Sequence, residues 1–398
     1  MGDVLISLQN NTLSRADLSN KSGVAKNVHY GDVLIKFGEV LDVSKEQLPM
    51  ILDESVLIKY KASFLQNGDV IVADTAEDST VGKCSEIAGL NDEVILSGLH
   101  TIPYRPIEKF ATGYLGYYLN SGAYHNQLIP LMQGIKVTSI SKSAMQDTDI
   151  IYPKSKEEQA KIGKYFQSLD HLITLHQREC EQAKKYKKYM LQKMFPQNGS
   201  NVPEIRFSGF TYAWEQRKLP EFVTFYNGQT YTPDDVQESG TLVLRSSNVK
   251  NGEIVDADNV YINPEIASAD NVQEGDIIVV VRNGSRALIG KHAQIKDPKP
   301  NTVIGAFMSG MRSEHSSFVN ALLDTSAFEN EIAKNMGATI NQITGYMFSK
   351  MEFVIPTDDE QEKIGEYFAN LDHLITLHQQ KCEELQKIKK FMLQNMFV

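Results

Sequence analysis

The sequence has little of what export, membrane insertion or a disulfide framework requires. Its 398 residues include only three cysteines and one tryptophan. Cys84, Cys180 and Cys382 are too few and too scattered for a disulfide framework, which favours a reducing compartment. No apolar run approaches the roughly 20 residues that span a bilayer, and the N-terminus lacks the pattern of a signal peptide. We therefore expect a cytoplasmic protein that does not contact a membrane.

Catalytic signatures are also missing. The pairs Gly82–Lys83 and Gly290–Lys291 lack the upstream glycine and the following hydroxyl residue of a phosphate-binding loop. The nearest approach to the Asn-Pro-Pro-aromatic motif of amino-methyltransferases is 263–265, which reads Asn-Pro-Glu and does not match. The separated cysteines exclude a Cys-x-x-Cys zinc site. These absences predict a non-enzymatic chain that contributes no catalytic residue, metal or cofactor of its own.

Basic charge is scarce. Lysine and arginine number 40 against 50 aspartates and glutamates, so the formal net charge is −10. Residues 1–156 carry 14 basic and 18 acidic side chains, and residues 200–356 carry 13 and 19. Because neutralising nucleic-acid phosphates requires clustered lysine and arginine, this balance argues against a general polyanion binder. If the chain binds DNA, we expect weak binding by the isolated chain, with partners supplying much of the phosphate contact.

What the sequence does contain is an internal repeat. Residues 157–195 and 359–397 align without a gap at a constant offset of 202, with 26 of 39 positions identical. The block LDHLITLHQ is unchanged between Leu169–Gln177 and Leu371–Gln379. A repeat of this kind indicates one structural unit used twice.

Both copies have the alternating four- and three-residue apolar spacing of a coiled-coil seam. At roughly 1.5 Å per residue, each helix would be about 58 Å long. Because two similar apolar stripes in one chain can bury each other, we predict an antiparallel helix pair. Its interface would contain Ile162, Phe166, Leu169, Ile173, His176 and Cys180 from the first copy and Ile364, Phe368, Leu371, Ile375, His378 and Cys382 from the second.

The segments before the two helices differ in sequence but share a skeleton. Leu65–Ile87 and Val272–Ile295 each place Gly-Asp before a β-branched strand, then a polar loop, then Gly-Lys. We therefore predict two mixed α/β lobes, of the α+β kind, separated by the long antiparallel helices with pseudo-twofold symmetry. The predicted segments are a first lobe, a first helix with linker, a second lobe and a second helix, at 1–153, 154–199, 200–356 and 357–398.

The helical signature EEQxKIGxxFxxLDxLITLHQ, followed by KKxMLQxMF, resembles the repeated regions of type I restriction–modification specificity subunits. Phe207–Leu219 (FSGFTYAWEQRKL) and Arg282–Lys291 (RNGSRALIGK) are also similar to that family, and the likeness covers nearly the whole chain. One departure is that nothing near Met1 matches the WEQRKL opening of the second lobe. The first lobe is therefore expected to begin differently or to lack its start.

The resemblance implies a function. Each lobe would be a target-recognition domain that reads one half of a split site in double-stranded DNA. The repeated helices would hold the lobes apart and dock two methyltransferase subunits, which would carry S-adenosylmethionine. Two restriction subunits would join that core. A stiff spacer suits this task, because the distance between half-sites then becomes a geometric property of the protein.

Base reading is most plausible in the polar loops. Arginine can pair bidentately with guanine, asparagine or glutamine with adenine, and serine can reach phosphates or base edges. The alternative for each single residue is an ordinary turn. The first-lobe candidates are Thr75, Ser79, Thr80, Lys83, Tyr104, Arg105, Gln133 and Lys136, and the second-lobe candidates are Arg245, Ser246, Ser247, Asn248, Arg282, Asn283, Ser285, Arg286, Lys291, Asn341 and Gln342.

Other interpretations of the helices and of the whole chain stay open. The His-x-x-x-Cys pairs beginning at His176 and His378 have metal-ligand spacing, although tolerated seam positions explain them more simply. The lysine clusters Lys184–Lys188 and Lys387–Lys390 could touch phosphates or form a solvated face that complements the helix dipole. The whole chain could instead be a coiled-coil interaction scaffold without DNA readout, or a self-contained methyltransferase or nuclease, which the missing motifs disfavour.

Overall fold

The computed structural model describes residues 1–197, 199–336 and 341–397. The chain forms two compact units, one from residues 1–177 with 380–397 and the other from residues 178–379. Each unit contains one lobe and a part of each long helix, because the division between the units falls inside the helices.

The first lobe is built from short strands and helices. Its strands are β1 (Leu5–Ser7), β2 (Leu18–Ser19), β3 (Ala25–Val28), β4 (Val40–Asp42), β5 (Met50–Ile51), β6 (Val70–Ala73), β7 (Thr75–Ala76), β8 (Cys84–Ala88), β9 (Ile95–Ser97), β10 (Thr101–Pro106) and β11 (Thr138–Ser139). Its helices are α1 (Tyr30–Ile35), α2 (Ser55–Lys59), α3 (Tyr114–Leu119), α4 (Gly122–Leu128) and α5 (Lys142–Gln146). The long helix α6 (Lys156–Met194) follows.

Two sheets organise this lobe. The larger has the order β1-β10-β6-β8-β4, in which only the β4–β8 pair is parallel. The smaller has the order β2-β5-β3-β9, and β7 pairs separately with β11. All four residues of β6 (VIVA) are buried, as expected for β-branched residues in a central strand that is covered on both faces.

The second lobe repeats this plan. Its strands are β12 (Glu215–Lys218), β13 (Thr224–Asn227), β14 (Val236–Gln237), β15 (Thr241–Leu244), β16 (Val249–Lys250), β17 (Glu253–Ile254), β18 (Val260–Ile262), β19 (Ile277–Val280), β20 (His292–Gln294), β21 (Thr302–Ile304), β22 (Met308–Arg312) and β23 (Glu352–Ile355). Its helices are α7 (Ser316–Leu323), α8 (Ser326–Asn335) and α9 (Gly345–Phe348), and the long helix α10 (Asp358–Asn395) follows.

The sheets of the second lobe correspond to those of the first. The order β13-β22-β19-β20 matches β1-β10-β6-β8, with antiparallel pairing throughout both series. The order β14-β18-β15-β21 matches β2-β5-β3-β9, and each series ends in a parallel pair. The two lobes are therefore two versions of one mixed α/β design, as predicted.

In the first unit, the N-terminal half of α6 packs against the C-terminal end of α10. The rings of Phe166 and Phe397 stack at 5.7 Å between centroids. Leu169, Ile173 and Leu385 belong to the same buried cluster, which also contains the tyrosines of α3. Because early residues of one helix meet late residues of the other, the helices run antiparallel here.

The second unit has the mirrored arrangement. Ile364 and Phe368, near the start of α10, share a core with Met190 and Met194, near the end of α6. The Cys180 thiol lies 3.9 Å from the carbonyl oxygen of Ile375. The antiparallel helix pair predicted from the repeat is therefore confirmed within each unit. Among the described residues, no helix combines the length and apolar character that crossing a bilayer would require.

Candidate DNA-recognition sites

Backbone hydrogen bonds build the same frame in both lobes, immediately beyond the central strands β6 and β19. The Asp74 N–H donates to the His100 carbonyl oxygen at 3.1 Å, and the Val281 N–H donates to the Phe307 carbonyl oxygen at 3.0 Å. The paired strands keep the same register, since Ala73 faces Thr101 and Val280 faces Met308. His100 and Phe307 are thus equivalent positions, as are the residues that follow Asp74 and Val281.

In the second lobe this frame borders a cleft of about 760 Å³. Phe307 lines the cleft and is 56% exposed. The guanidinium of Arg282 lies over the Phe307 ring, 5.1 Å from its centroid. The Asn283 amide donates a hydrogen bond to Ser246 Oγ at 3.2 Å. The structure therefore brings together Arg282, Asn283 and Ser246, which were predicted as DNA-binding from separate loops.

Two polar atoms are left for a ligand at the same cleft. Arg245 and Ser247 line it. The buried Arg245 Nε and Ser247 Oγ have no hydrogen-bond partner among the described residues. Since buried polar atoms usually find a partner, this is where a ligand or water is expected to bind.

In the first lobe a cleft of about 470 Å³ borders the same frame at Asp74 and Thr101, but most of its lining residues do not correspond to those of the second-lobe cleft. Its lining includes Asp74, Thr101 and Lys142, together with the polar segment 7–10. The neighbouring Thr75 hydroxyl donates to Asp74 Oδ1 at 2.7 Å and lies 3.5 Å from Nδ1 of His100. Of the first-lobe candidates, Thr75 is the one that belongs to this frame.

The remaining first-lobe candidates lie elsewhere. Ser79, Thr80, Gln133 and Lys136 are exposed. Lys83 is half-buried and donates to the carbonyl oxygen of Leu34 at 2.8 Å. Burial lowers the pKa of the Lys83 ammonium group below its usual value. Lys83 therefore interacts with its own lobe in this conformation.

Three further candidate DNA contacts make interactions inside their own lobes. Tyr104 is fully buried in the core of the first lobe. Arg105 donates two hydrogen bonds to the buried carboxylate of Asp69, at 2.7 and 3.0 Å. Asn248 is fully buried and its amide donates to carbonyl oxygens of the following loop. Each of these side chains is engaged within its own lobe in this conformation.

The other second-lobe candidates lie at its surface. Ser285 and Arg286 are exposed and Lys291 is half-buried. The Asn341 amide donates to the carbonyl oxygen of Gly284 at 3.0 Å, which joins two polar loops. Gln342 forms an isolated antiparallel bridge with Arg282.

Each lobe is attached to its part of the helix pair by a half-buried lysine. Lys389 lies 2.6 Å from Glu39 in the first lobe and 2.6 Å from Asp170 on α6. Lys187 makes the equivalent contacts in the second unit, 2.6 Å to Asp324 and 2.5 Å to Asp372. The two lysines and the two helical aspartates are related by the 202-residue repeat offset.

Asp324 also lies 3.4 Å from the imidazole of the buried His292. Burial alone would raise the pKa of Asp324, but the contacts with His292 and Lys187 outweigh it and hold that pKa well below its usual range. Burial likewise opposes protonation of Lys187, yet its two carboxylates raise its pKa. Lys187 and Asp324 are therefore both charged near neutral pH.

The predicted seam residues are placed as follows. Phe166, Leu169, Ile173, Cys180, Ile364, Phe368 and Ile375 are buried, whereas Ile162, His176, Leu371, His378 and Cys382 are half-buried. Outside the seam, four exposed apolar or aromatic side chains on the long helices of each unit recur at equivalent positions. They are Leu172, Leu175, Ile388 and Phe391 in the first unit and Leu374, Leu377, Tyr186 and Tyr189 in the second. The repeat offset of 202 relates the two sets.

Sequence reasoning did not single out Phe307 or His100. Each lies in a short connection that has no motif of its own. Their shared offset of 207, which also relates the Gly-Asp pairs at 68–69 and 275–276, was the available signal.

Comparisons with known proteins agree with this architecture. The family model described as Type I restriction modification DNA specificity domain matches twice, at residues 8–185 and 212–387. The MjaVIII specificity subunit of Methanocaldococcus jannaschii is 23% identical over 273 residues, covering 65% of this chain and 63% of that relative. The EcoKI specificity subunit of Escherichia coli is 24% identical over 186 residues, covering 44% and 40%. The aligned parts thus span less than two thirds of both relatives.

Solved structures share the fold. The S subunit of a type I restriction–modification system from M. genitalium has a TM-score of 0.65 at 13% identity, over 100% of this chain and 94% of that one. A chain from a study of complex assembly and conformational transition of the type I R-M system has a TM-score of 0.53 at 17% identity, over 98% and 95%. With two lobes of one design and two family matches that together cover most of its length, the chain belongs to the type I restriction modification DNA specificity domain family.

Proposed function

We propose that this chain is the DNA-reading subunit of a type I restriction–modification complex, in which each lobe contacts one half of a bipartite DNA site. The observation that carries the proposal is the backbone frame that recurs in both lobes. Arg282 and Phe307 stand at this frame in the second lobe, whereas Thr75 and His100 stand at it in the first. One scaffold with two different surfaces suits two different half-sites.

The helix pair would carry the partner subunits. Two related sets of exposed apolar side chains, one in each unit, offer two similar docking surfaces. Because equivalent surfaces bind equivalent partners, two methyltransferase subunits are the expected occupants. They would bring S-adenosylmethionine and the methylation chemistry, and two restriction subunits would complete the complex. The chain itself would direct the reaction in the cytoplasm without catalysing it.

The experiment is methylome sequencing of cells that express the cognate methyltransferase subunit with and without this chain. The expected result is adenine methylation at a new bipartite motif only when the chain is present. If the two proteins co-purified but no new motif was methylated, the chain would be an interaction scaffold without DNA readout. Methyl transfer by the purified chain alone would make it an enzyme.

A further inference from the structure

We propose that one pair of side chains in each lobe distinguishes the bases of its half-site. The pairs are Arg282 with Phe307 in the second lobe and Thr75 with His100 in the first. In the pair of the second lobe, Arg282 reads a guanine and Phe307 positions the Arg282 guanidinium. This inference rests on the proposed DNA-reading function and assigns that function to particular residues.

The backbone is the same at both positions, while the side-chain chemistry differs. Thr75 and Arg282 each follow a residue whose N–H donates to the carbonyl oxygen of His100 or Phe307. The hydrogen bonds involve only backbone atoms, so they do not restrict which side chains stand there. Positions of this kind can change their specificity without changing the fold, and this is what a recognition position requires.

The Arg282 side chain is also placed where a ligand can reach it. It is exposed and donates no hydrogen bond to any other side chain that the structure describes. Its guanidinium lies over the half-exposed ring of Phe307, a cation–π contact that limits its orientations. Phe307 thus pre-organises the guanidinium and leaves its N–H edge free. An arginine in this position can donate two hydrogen bonds to guanine, one to O6 and one to N7.

The first lobe supports the same assignment with different groups. The His100 imidazole packs edge-on against the Tyr30 ring at 5.3 Å between centroids, so an aromatic contact braces this pair as well. His100 has a φ of +56°, in the left-handed region that non-glycine residues seldom adopt. Strained backbone of this kind tends to persist where function requires it. Without a guanidinium, Thr75 and His100 must read their half-site differently from Arg282.

The test is methylome sequencing with the whole complex, comparing wild type with Arg282→Gln, Arg282→Lys and Phe307→Leu. Arg282→Gln should relax one guanine position in one half-site, reducing discrimination there by about tenfold or more. Phe307→Leu should relax the same position to a smaller extent. Arg282→Lys should keep part of the preference, because lysine retains the charge but loses the bidentate geometry.

The matched control is Lys250→Gln, which removes an exposed cation of the same lobe that is not among the candidate DNA contacts. It should leave the methylated motif unchanged. The double variant Thr75→Ala, His100→Ala should alter only the other half-site. Co-purification with the methyltransferase subunit shows that each variant assembles.

The outcomes separate the two proposals. A wild-type complex that methylates no bipartite motif overturns both. A wild-type complex with a bipartite motif that stays unchanged in Arg282→Gln overturns only the assignment of Arg282. Relaxation spread evenly over both half-sites would also overturn the assignment, because it would show that Arg282 contacts phosphate.

Discussion

Glu86 shows how strongly a single buried side chain can be perturbed. Its carboxylate lies in the core of the first lobe and accepts hydrogen bonds from the backbone N–H groups of Gly113 at 2.7 Å and Gly116 at 2.9 Å. Burial nevertheless raises the pKa of Glu86 to about 7, because the loss of hydration outweighs these hydrogen bonds. The folded first lobe therefore retains a proton that the unfolded chain would release.

This pKa predicts a pH-dependent stability. An unfolded glutamate titrates near ~4.3, so between roughly that pH and 7 the folded state binds more protons than the unfolded state. The free energy of unfolding of the first lobe should fall as pH rises through this window and level off above it. In Glu86→Gln this contribution should vanish, whereas Glu108→Gln, at an exposed position, should retain it.

The measurement is hydrogen-exchange protection of α3, corrected for intrinsic rates, at pH 5 and pH 8. An identical pH slope in wild type and Glu86→Gln would show that another group is responsible.

Lys187 leads to a prediction about the charged cluster of the second unit. In Lys187→Met, Asp324 and Asp372 lose the lysine that they share, although the His292 imidazole still lies 3.4 Å from Asp324. Removing one partner of a buried pair costs about 3–5 kcal/mol. Since both carboxylates keep some solvent exposure, we expect a loss of about 2–3 kcal/mol in the free energy of unfolding.

The single tryptophan makes this measurable, because Trp214 is buried in the core of the second unit. Urea unfolding followed by its fluorescence should shift to lower denaturant in Lys187→Met. Lys188→Met, the neighbouring exposed lysine, is the control and should unfold like wild type. Equal midpoints for both variants would mean that the cluster adds no stability.

At the scale of the elements, the long helices have two tasks that use different faces. Seven of the twelve predicted seam residues are buried, and their burial stabilises the pairing. Leu374 and Leu377 remain exposed, as do their counterparts Leu172 and Leu175. Exposed apolar side chains that recur at equivalent places are typical of an interface with another protein.

Charged substitutions on these faces should therefore reduce assembly without unfolding the chain. In Leu374→Glu, Leu377→Glu, we expect the number of bound methyltransferase subunits to fall from two to one, as measured by native mass spectrometry. Adding Leu172→Glu and Leu175→Glu should abolish binding of both. Gln380→Glu, a charge at an exposed polar position of the same helix, should leave two subunits bound. If the variant with all four substitutions still bound two methyltransferase subunits, the docking surface would lie elsewhere.

At the scale of the whole molecule, the net charge of −10 sets how DNA binding should depend on salt. The logarithm of affinity falls with the logarithm of salt concentration by about 0.9 per neutralised phosphate. The isolated chain should bind DNA weakly and with a shallow salt dependence, because few of its cations can contact phosphates. The complex with methyltransferase subunits should bind more tightly and with a steeper dependence.

Fluorescence anisotropy with a duplex that contains the methylated motif, over a salt series, measures both slopes. If the isolated chain bound DNA tightly and its affinity depended on salt as steeply as that of the complex, the partners would not be the source of the phosphate contacts.

The sequence by itself determined the architecture. Apolar spacing at Ile162, Phe166 and Leu169 recurs 202 residues later, and this periodicity depends only on local helix geometry and on the need to bury apolar stripes. The Gly-Asp turns before two β-branched strands likewise indicated two lobes of one design. Local patterns were sufficient here because they cause the structures that they predict.

Only the tertiary structure decided which polar residues are presented together. Asp74 is joined to His100, and Val281 to Phe307, by hydrogen bonds between strands that are distant in sequence, so no local pattern could reveal those positions. Tyr104 and Asn248 read as polar loop candidates, but the packing of their own lobes buries both. Burial depends on what covers a residue from elsewhere in the chain, and that is determined only when the sheets and helices have assembled.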